Sequence, residues 1–211
     1  MLSMTNQEEY IVGYLDDNTD YKDLKENLED FVNLIPIENC TTLNDILDWV
    51  IHNQVQCLLV DHKLVNKYDF VGTDVITFFN KKIPDLPCVI VTSFKNDSIA
   101  EDLVIELLIK DRDDLPGEDL KYTEFGNSLA QACRTFRKRL EQRKQEFTVL
   151  YQKKQETDIT TDEEENLCQL YNLLKAYGEI DIIPTELLTS QMSIKINSLI
   201  EKLDKIIKKE C

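Results

Sequence analysis

Glycine is scarce in this chain, with five in 211 residues. That leaves little room for a glycine-rich phosphate loop, a dinucleotide-binding turn or a nucleophile elbow, and none of these patterns is present. Histidine is scarcer still, with only His52 and His62. His52 has no partner at metal-ligand spacing. His62 adjoins Asp61, but neighbouring strand residues point to opposite faces, so it reads as a loop or surface side chain. The six cysteines (40, 57, 88, 133, 168 and 211) lack paired or metal-like spacing. Three lie in apolar runs or helical stripes, where a free thiol behaves as a small hydrophobe. No apolar stretch approaches the ~20 residues that cross a bilayer, and Met1 to Glu9 lacks the basic-then-apolar order of a signal peptide. The expectation is a reduced, cytoplasmic protein without structural zinc, disulfide framework or membrane segment.

Basic residues are short in one half only. Residues 1–120 hold 9 basic and 25 acidic side chains, and residues 121–211 hold 15 of each. So sharp a break marks a boundary near Pro116-Gly117, giving expected domains 1–120 and 121–211. The acidic half should repel nucleic acid and attract cations or basic surfaces.

Short apolar runs alternate with helical periodicity through the first half. Strands are expected at 10–16, 34–38, 57–61, 88–92 and within 104–110. Helices are expected at 20–31, after Thr41 or Thr42 with Leu43, Ile46, Leu47, Val50 and Ile51 on one face, and around Val75, Ile76 and Phe79. Such alternation implies an α/β fold, a doubly wound parallel sheet covered on both faces. Asp16 and Asp17, Asp61, Thr92 and Lys110 close four of the five runs. Ligands of open α/β sheets bind outside the carboxyl ends of the strands. The pattern therefore gathers three carboxylates, a hydroxyl and an ammonium at one sheet edge, where crowded carboxylates should raise at least one carboxyl pKa.

From residue 121 the pattern is helical only, and an all-α hairpin or bundle is expected. Leu129, Cys133, Phe136, Leu140, Arg143, Phe147 and Leu150 form a heptad, coiled-coil-like seam. Thr161 with Glu164 has the form of a capping box for a helix ending at Gly178. A last helix carries Met192, Ile196, Leu199, Leu203 and Ile206. The seam must be buried by fold-back of these helices or by a second chain, a homodimer; the short connections at Gly178 and Pro184 favour fold-back. Arg134, Arg137, Lys138, Arg139, Arg143 and Lys144 make a basic stripe. Because Asp162 to Glu165 can pair with it and this half is neutral, nucleic acid is not the expected partner.

Residues 9 to about 112 resemble a response-regulator receiver domain. The resemblance rests on Leu15-Asp16-Asp17, on Leu58-Leu59-Val60-Asp61, on the segment from Ile83-Pro84 through Val91-Thr92-Ser93, and on Lys110. It implies a flavodoxin-like sheet of order 2-1-3-4-5. It also implies that Asp61 accepts a phosphoryl group, as a carboxylate nucleophile forming an acyl phosphate. Asp16, Asp17 and Asp61 would hold Mg²⁺, a hard cation suited to carboxylate oxygens. Thr92 and Lys110 would contact the phosphoryl oxygens, with small Ser93 leaving access. The implied partners are a histidine kinase or phosphotransfer protein and a downstream protein met through the helical half. Such a protein would not be an enzyme in the metabolic sense.

Three departures stand out. Gly72 lies eleven residues after Asp61, about three more than the family's usual spacing. Asp111, not Pro, follows Lys110. Thr92 and Lys110 are only 18 residues apart, so the fourth helix should be short or irregular. The longer loop and the absent Pro favour a rival reading, a non-cycling scaffold that binds partners through its helices, whereas the complete set of five residues favours phosphoryl transfer.

Overall fold

The computed structural model describes residues 9–18, 21–64, 66–112, 119–184 and 188. Five parallel strands, Ile11–Leu15 (β1), Asn33–Pro36 (β2), Cys57–Val60 (β3), Cys88–Thr92 (β4) and Ile109–Asp111 (β5), form one sheet in the order β2-β1-β3-β4-β5. The helices are Lys22–Leu28 (α1), Leu43–His52 (α2), Gly72–Lys82 (α3), Lys95–Ala100 (α4), Asp119–Glu156 (α5) and Thr161–Ala176 (α6). At six residues, α4 is short, and a 3-10 turn at Glu106–Leu108 leads into β5.

Strand alternation decides which side chains meet which helices. On one face Val12, Tyr14, Leu34, Cys57, Leu59 and Val91 pack with Leu28 of α1 and Phe125, Leu129 and Cys133 of α5. Leu15, Leu58, Val60 and Ile90 have the opposite parity and are fully buried, as are Ile46 of α2 and Val75 and Phe79 of α3. β3 is buried at every position, as a strand covered on both faces must be. Each fully buried Leu or Ile contributes about 1.5–3 kcal/mol. Thr42 caps α2 by accepting from the Asp45 N–H, and the Asp45 carboxylate accepts in return.

The chain divides into compact units at Met1–Arg139 and Leu140–Cys211, later than the break in charge. The reason is that the early turns of α5 belong to the sheet's own core. In the second unit, Phe147, Leu167, Leu170, Tyr171, Leu174 and Leu188 form a separate core, with Leu140 and Leu150 against it. The heptad seam is thus consumed by two intrachain cores. Lys153 pairs with Glu163 at 2.5 Å, Lys154 with Glu164 at 3.4 Å, and Lys144 with Glu179, so α5 and α6 run antiparallel. Arg143 hydrogen-bonds Tyr177, which satisfies the one cation in the seam.

The cap of α6 lies one residue earlier than the sequence pattern indicates. Thr160 accepts from the Glu163 N–H, and Glu163 accepts from the Thr160 N–H. Thr161 and Glu164 also have the required types, but Glu164 is needed inward, beside Lys154. Gly178 follows the helix at φ 70°, the left-handed position that favours glycine. The expected helix from Met192 to Ile206 and the turn at Pro116-Gly117 lie outside the described residues.

Candidate functional site

Three strand ends converge at the carboxyl edge of the sheet. Leu15 and Val60 pair in register, so the next residues, Asp16 and Asp61, emerge side by side. Asp16, Asp17 and Asp61 each offer an oxygen within 4.8 Å of the others. Asp16 and Asp61 are buried, and Asp17 is half-buried. The Thr92 hydroxyl, at the end of β4, donates to Asp61 and accepts from the Phe94 N–H at 3.1 Å.

Lys110 is not among these groups. It lines a cavity of about 780 Å³ with Val89, Leu107, Leu108, Phe125 and Leu129, and among the described residues it forms no ion pair. Arg112 stands in the pocket instead. Its Nη2 donates to Asp16 Oδ2 at 2.9 Å and to the Tyr14 hydroxyl at 2.8 Å, and lies 3.5 Å from Asp61 Oδ1. Register explains the exchange. β5 continues to Asp111, which pairs with Thr92, and the Arg112 N–H donates to the Thr92 carbonyl at 2.9 Å. The first residue past the strand is therefore Arg112, as Asp16 and Asp61 are the first past theirs. Ending the run at Lys110 missed it; the triplet Lys110-Asp111-Arg112 with no Pro was the available signal.

Tyr14 was also missed. It reads as a core residue, and its ring is one, but its hydroxyl donates to Asp16 Oδ2 at 2.5 Å. Burial, above all, raises the Tyr14 pKa, with the Arg112 charge opposing and Asp16 adding, so the phenol stays a donor. The Asn18 N–H donates to Asp16 Oδ1 at 2.8 Å. Burial is likewise the main cause raising the Asp61 pKa; Arg112 opposes it and the Asp16 charge adds to it. Crowding of carboxylates is thus the lesser contribution. Arg112 is lowered by burial, but Tyr14, Asp16 and Asp61 together outweigh this and raise it.

The long loop after β3 has a structural use. Leu64 is fully buried, and the Asn66 N–H donates to Asp17 Oδ2 at 2.9 Å, tying the loop to the cluster. The loop then returns so closely that the Gly72 N–H donates to the His62 carbonyl at 2.9 Å, and a Cβ on Gly72 would lie 2.4 Å from the Asp61 carbonyl oxygen. Only glycine fits there. His62 is buried at 3% exposure, contrary to its reading as a loop or surface residue. Its Nε2 lies 3.5 Å from Glu101 Oε1, and Glu101 in turn accepts from the Thr73 hydroxyl. The bend that closes the loop onto α3 carries the imidazole inward.

The arrangement can bind a cation or an anion-bearing group, with a buried carboxylate backed by a hydroxyl and a guanidinium. A five-stranded parallel sheet of this order, with acidic strand ends at β1 and β3, has the flavodoxin-like doubly wound topology. Response-regulator receiver domains share that fold. No family model and no curated protein sequence matches the chain. Among solved structures, the chain is similar to an uncharacterized protein from Neptuniibacter caesariensis, at 18% identity over 59% of this chain and 89% of that one, TM-score 0.45. It is also similar to a CheY-like receiver domain protein from Methanospirillum hungatei, at 18% over 60% and 98%, TM-score 0.43. The response regulator RcsB, solved with DNA, matches at 18% over 85% and 96%, TM-score 0.42. Among the described residues, no helix is long and apolar enough to cross a membrane.

Proposed function

We propose that this receiver fold is a phosphoacceptor module and not a metabolic enzyme, with Asp61 as the residue modified. The observation that carries the reading is the cluster itself: Asp61, buried at the end of the central strand, faces Asp16 and Asp17 and is contacted by Thr92 and Arg112. In the transfer, an ionised Asp61 oxygen attacks phosphorus, the bond from phosphorus to the donor's imidazole nitrogen breaks, and the released imidazole takes a proton from solvent. Thr92 can donate to an equatorial phosphoryl oxygen, and Arg112 can offer two parallel N–H bonds to the same group. Lys110, placed away from the carboxylates, does not share this task in the described arrangement.

The donor set suits Mg²⁺, being hard carboxylate oxygens, so Asp16, Asp17 and Asp61 are the residues that would hold it. When bound, the ion would offset repulsion between the anionic nucleophile and the phosphoryl oxygens. A histidine kinase or phosphotransfer protein is the proposed donor, and the antiparallel helices of the second unit are the proposed surface for a downstream protein. Self-association through the heptad seam is not proposed, because Leu129, Cys133 and Phe147 are already buried within the chain.

A second reading has one observation in its favour: a guanidinium already balances the pocket, as a scaffold that no longer cycles phosphate would require. Intact mass after incubation with a small phosphodonor and Mg²⁺ separates the two. The phosphoacceptor reading expects one added phosphoryl group in wild type and none in Asp61→Asn; an unmodified wild type supports the scaffold.

A further inference from the structure

A cluster of carboxylates that binds a divalent cation must present free oxygens. Asp16 does not. Its Oδ2 accepts from Tyr14 at 2.5 Å and from Arg112 at 2.9 Å, and its Oδ1 accepts from the Asn18 N–H at 2.8 Å. The same guanidinium lies 3.5 Å from Asp61 Oδ1, so one side chain bridges the two buried carboxylates. Arg112 is itself held: its backbone N–H is fixed to Thr92, and Nη2 also reaches the Val91 carbonyl at 3.4 Å.

We propose that Arg112 is a resident cation which competes with the divalent metal for Asp16 and Asp61, so that metal binds only when the guanidinium gives up these oxygens. This rests on the phosphoacceptor reading for its purpose but not for its test. The physical reason is exclusion. A guanidinium and a hydrated divalent ion cannot both approach one carboxylate oxygen that already accepts from a phenol, and two cations beside the same oxygen repel. Whatever pairing energy Arg112 has with the carboxylates is subtracted from the metal's affinity. A phosphoryl group on Asp61 would supply the displaced guanidinium with a new anionic partner, so modification and metal binding would favour the same displaced state.

The test is Mg²⁺ titration of the full chain, read as the rise in melting temperature of the sheet unit and converted to an apparent affinity. Arg112→Gln should tighten Mg²⁺ binding by about tenfold or more, since it removes a direct competitor. Tyr14→Phe keeps the charge but removes one of the contacts that hold Arg112 and Asp16; it should tighten binding by a smaller factor, and it remains informative if Arg112→Gln folds poorly. Lys110→Gln removes the same unit of charge without touching Asp16, and should change affinity by less than about threefold. Equal or weaker Mg²⁺ binding in both Arg112→Gln and Tyr14→Phe overturns the proposal, as does a Lys110→Gln effect matching that of Arg112→Gln. Phosphodonor labelling of the same proteins keeps the two ideas apart. Tighter metal binding without labelling in any protein would leave the competition standing and remove the phosphoacceptor reading. Labelling with unchanged metal affinity would do the reverse.

Discussion

The sheet edge and the helical hairpin both pair acids with bases, but under opposite conditions. In the pocket, the Asp16 side chain is 2% exposed and the Arg112 side chain 32%. On the hairpin, Lys153 and Glu163 are 46% and 30% exposed at a shorter separation. Distance alone would rank the hairpin pair as the stronger, yet water screens it and both side chains can be solvated if it breaks. In the pocket the same loss strands two buried carboxylates. Burial, not proximity, decides which pair matters.

Removing the pocket cation should therefore have the largest effect. Arg112→Ala should destabilise the sheet unit by about 2–3 kcal/mol, toward the low end for a buried pair because the guanidinium is a third exposed. Thermal unfolding in metal-free buffer checks this; a loss no greater than that of a surface lysine would erase the contrast between the regions.

Asp61 sharpens the comparison through pH. Its carboxyl pKa is raised, mainly by burial, so the native state keeps a proton that the unfolded chain has released. Stability is then greatest below the ordinary value of 3.8 and declines as pH rises through the raised value. Asp61→Asn should lack this decline and melt higher than wild type at neutral pH, by about 2–4 °C for each kcal/mol relieved, with the gap closing toward pH 4. A gap that is constant with pH would show that Asp61 ionises freely in the fold.

These two residues also mark how far the sequence was legible. Asp16, Asp17, Asp61 and Thr92 were readable because an apolar run followed by a polar residue locates a strand end, and adjacent parallel strands end together. Arg112 was not, because β5 has three residues and its last, Asp111, is charged; only pairing with Thr92 shows that the strand continues past Lys110. His62 was misplaced for a related reason. Alternation describes extended strand, and the chain turns immediately after Val60 to meet Gly72. The Thr160 cap was displaced because two adjacent threonines satisfy the same pattern, and only burial of Glu164 chooses between them.

On the hairpin the expected effects are small. Thr160→Ala should cost about 1 kcal/mol, because Glu163 loses its N–H acceptor at the helix start. Lys153→Ala should shift the melting temperature by no more than about 1 °C and become neutral in high salt. A Lys153 effect as large as that of Arg112 would mean that the hairpin pair is structural in a way its exposure does not show.

The central claim is that the buried carboxylate at the end of β3 takes the phosphoryl group. Its most direct measurement is borohydride reduction of the phosphodonor-treated full chain, followed by peptide mapping. An acyl phosphate on a carboxylate is reduced to an alcohol, so the account predicts homoserine at position 61 and unmodified aspartate at 16 and 17. Reduction at another residue, or none in a protein that binds Mg²⁺, would contradict it.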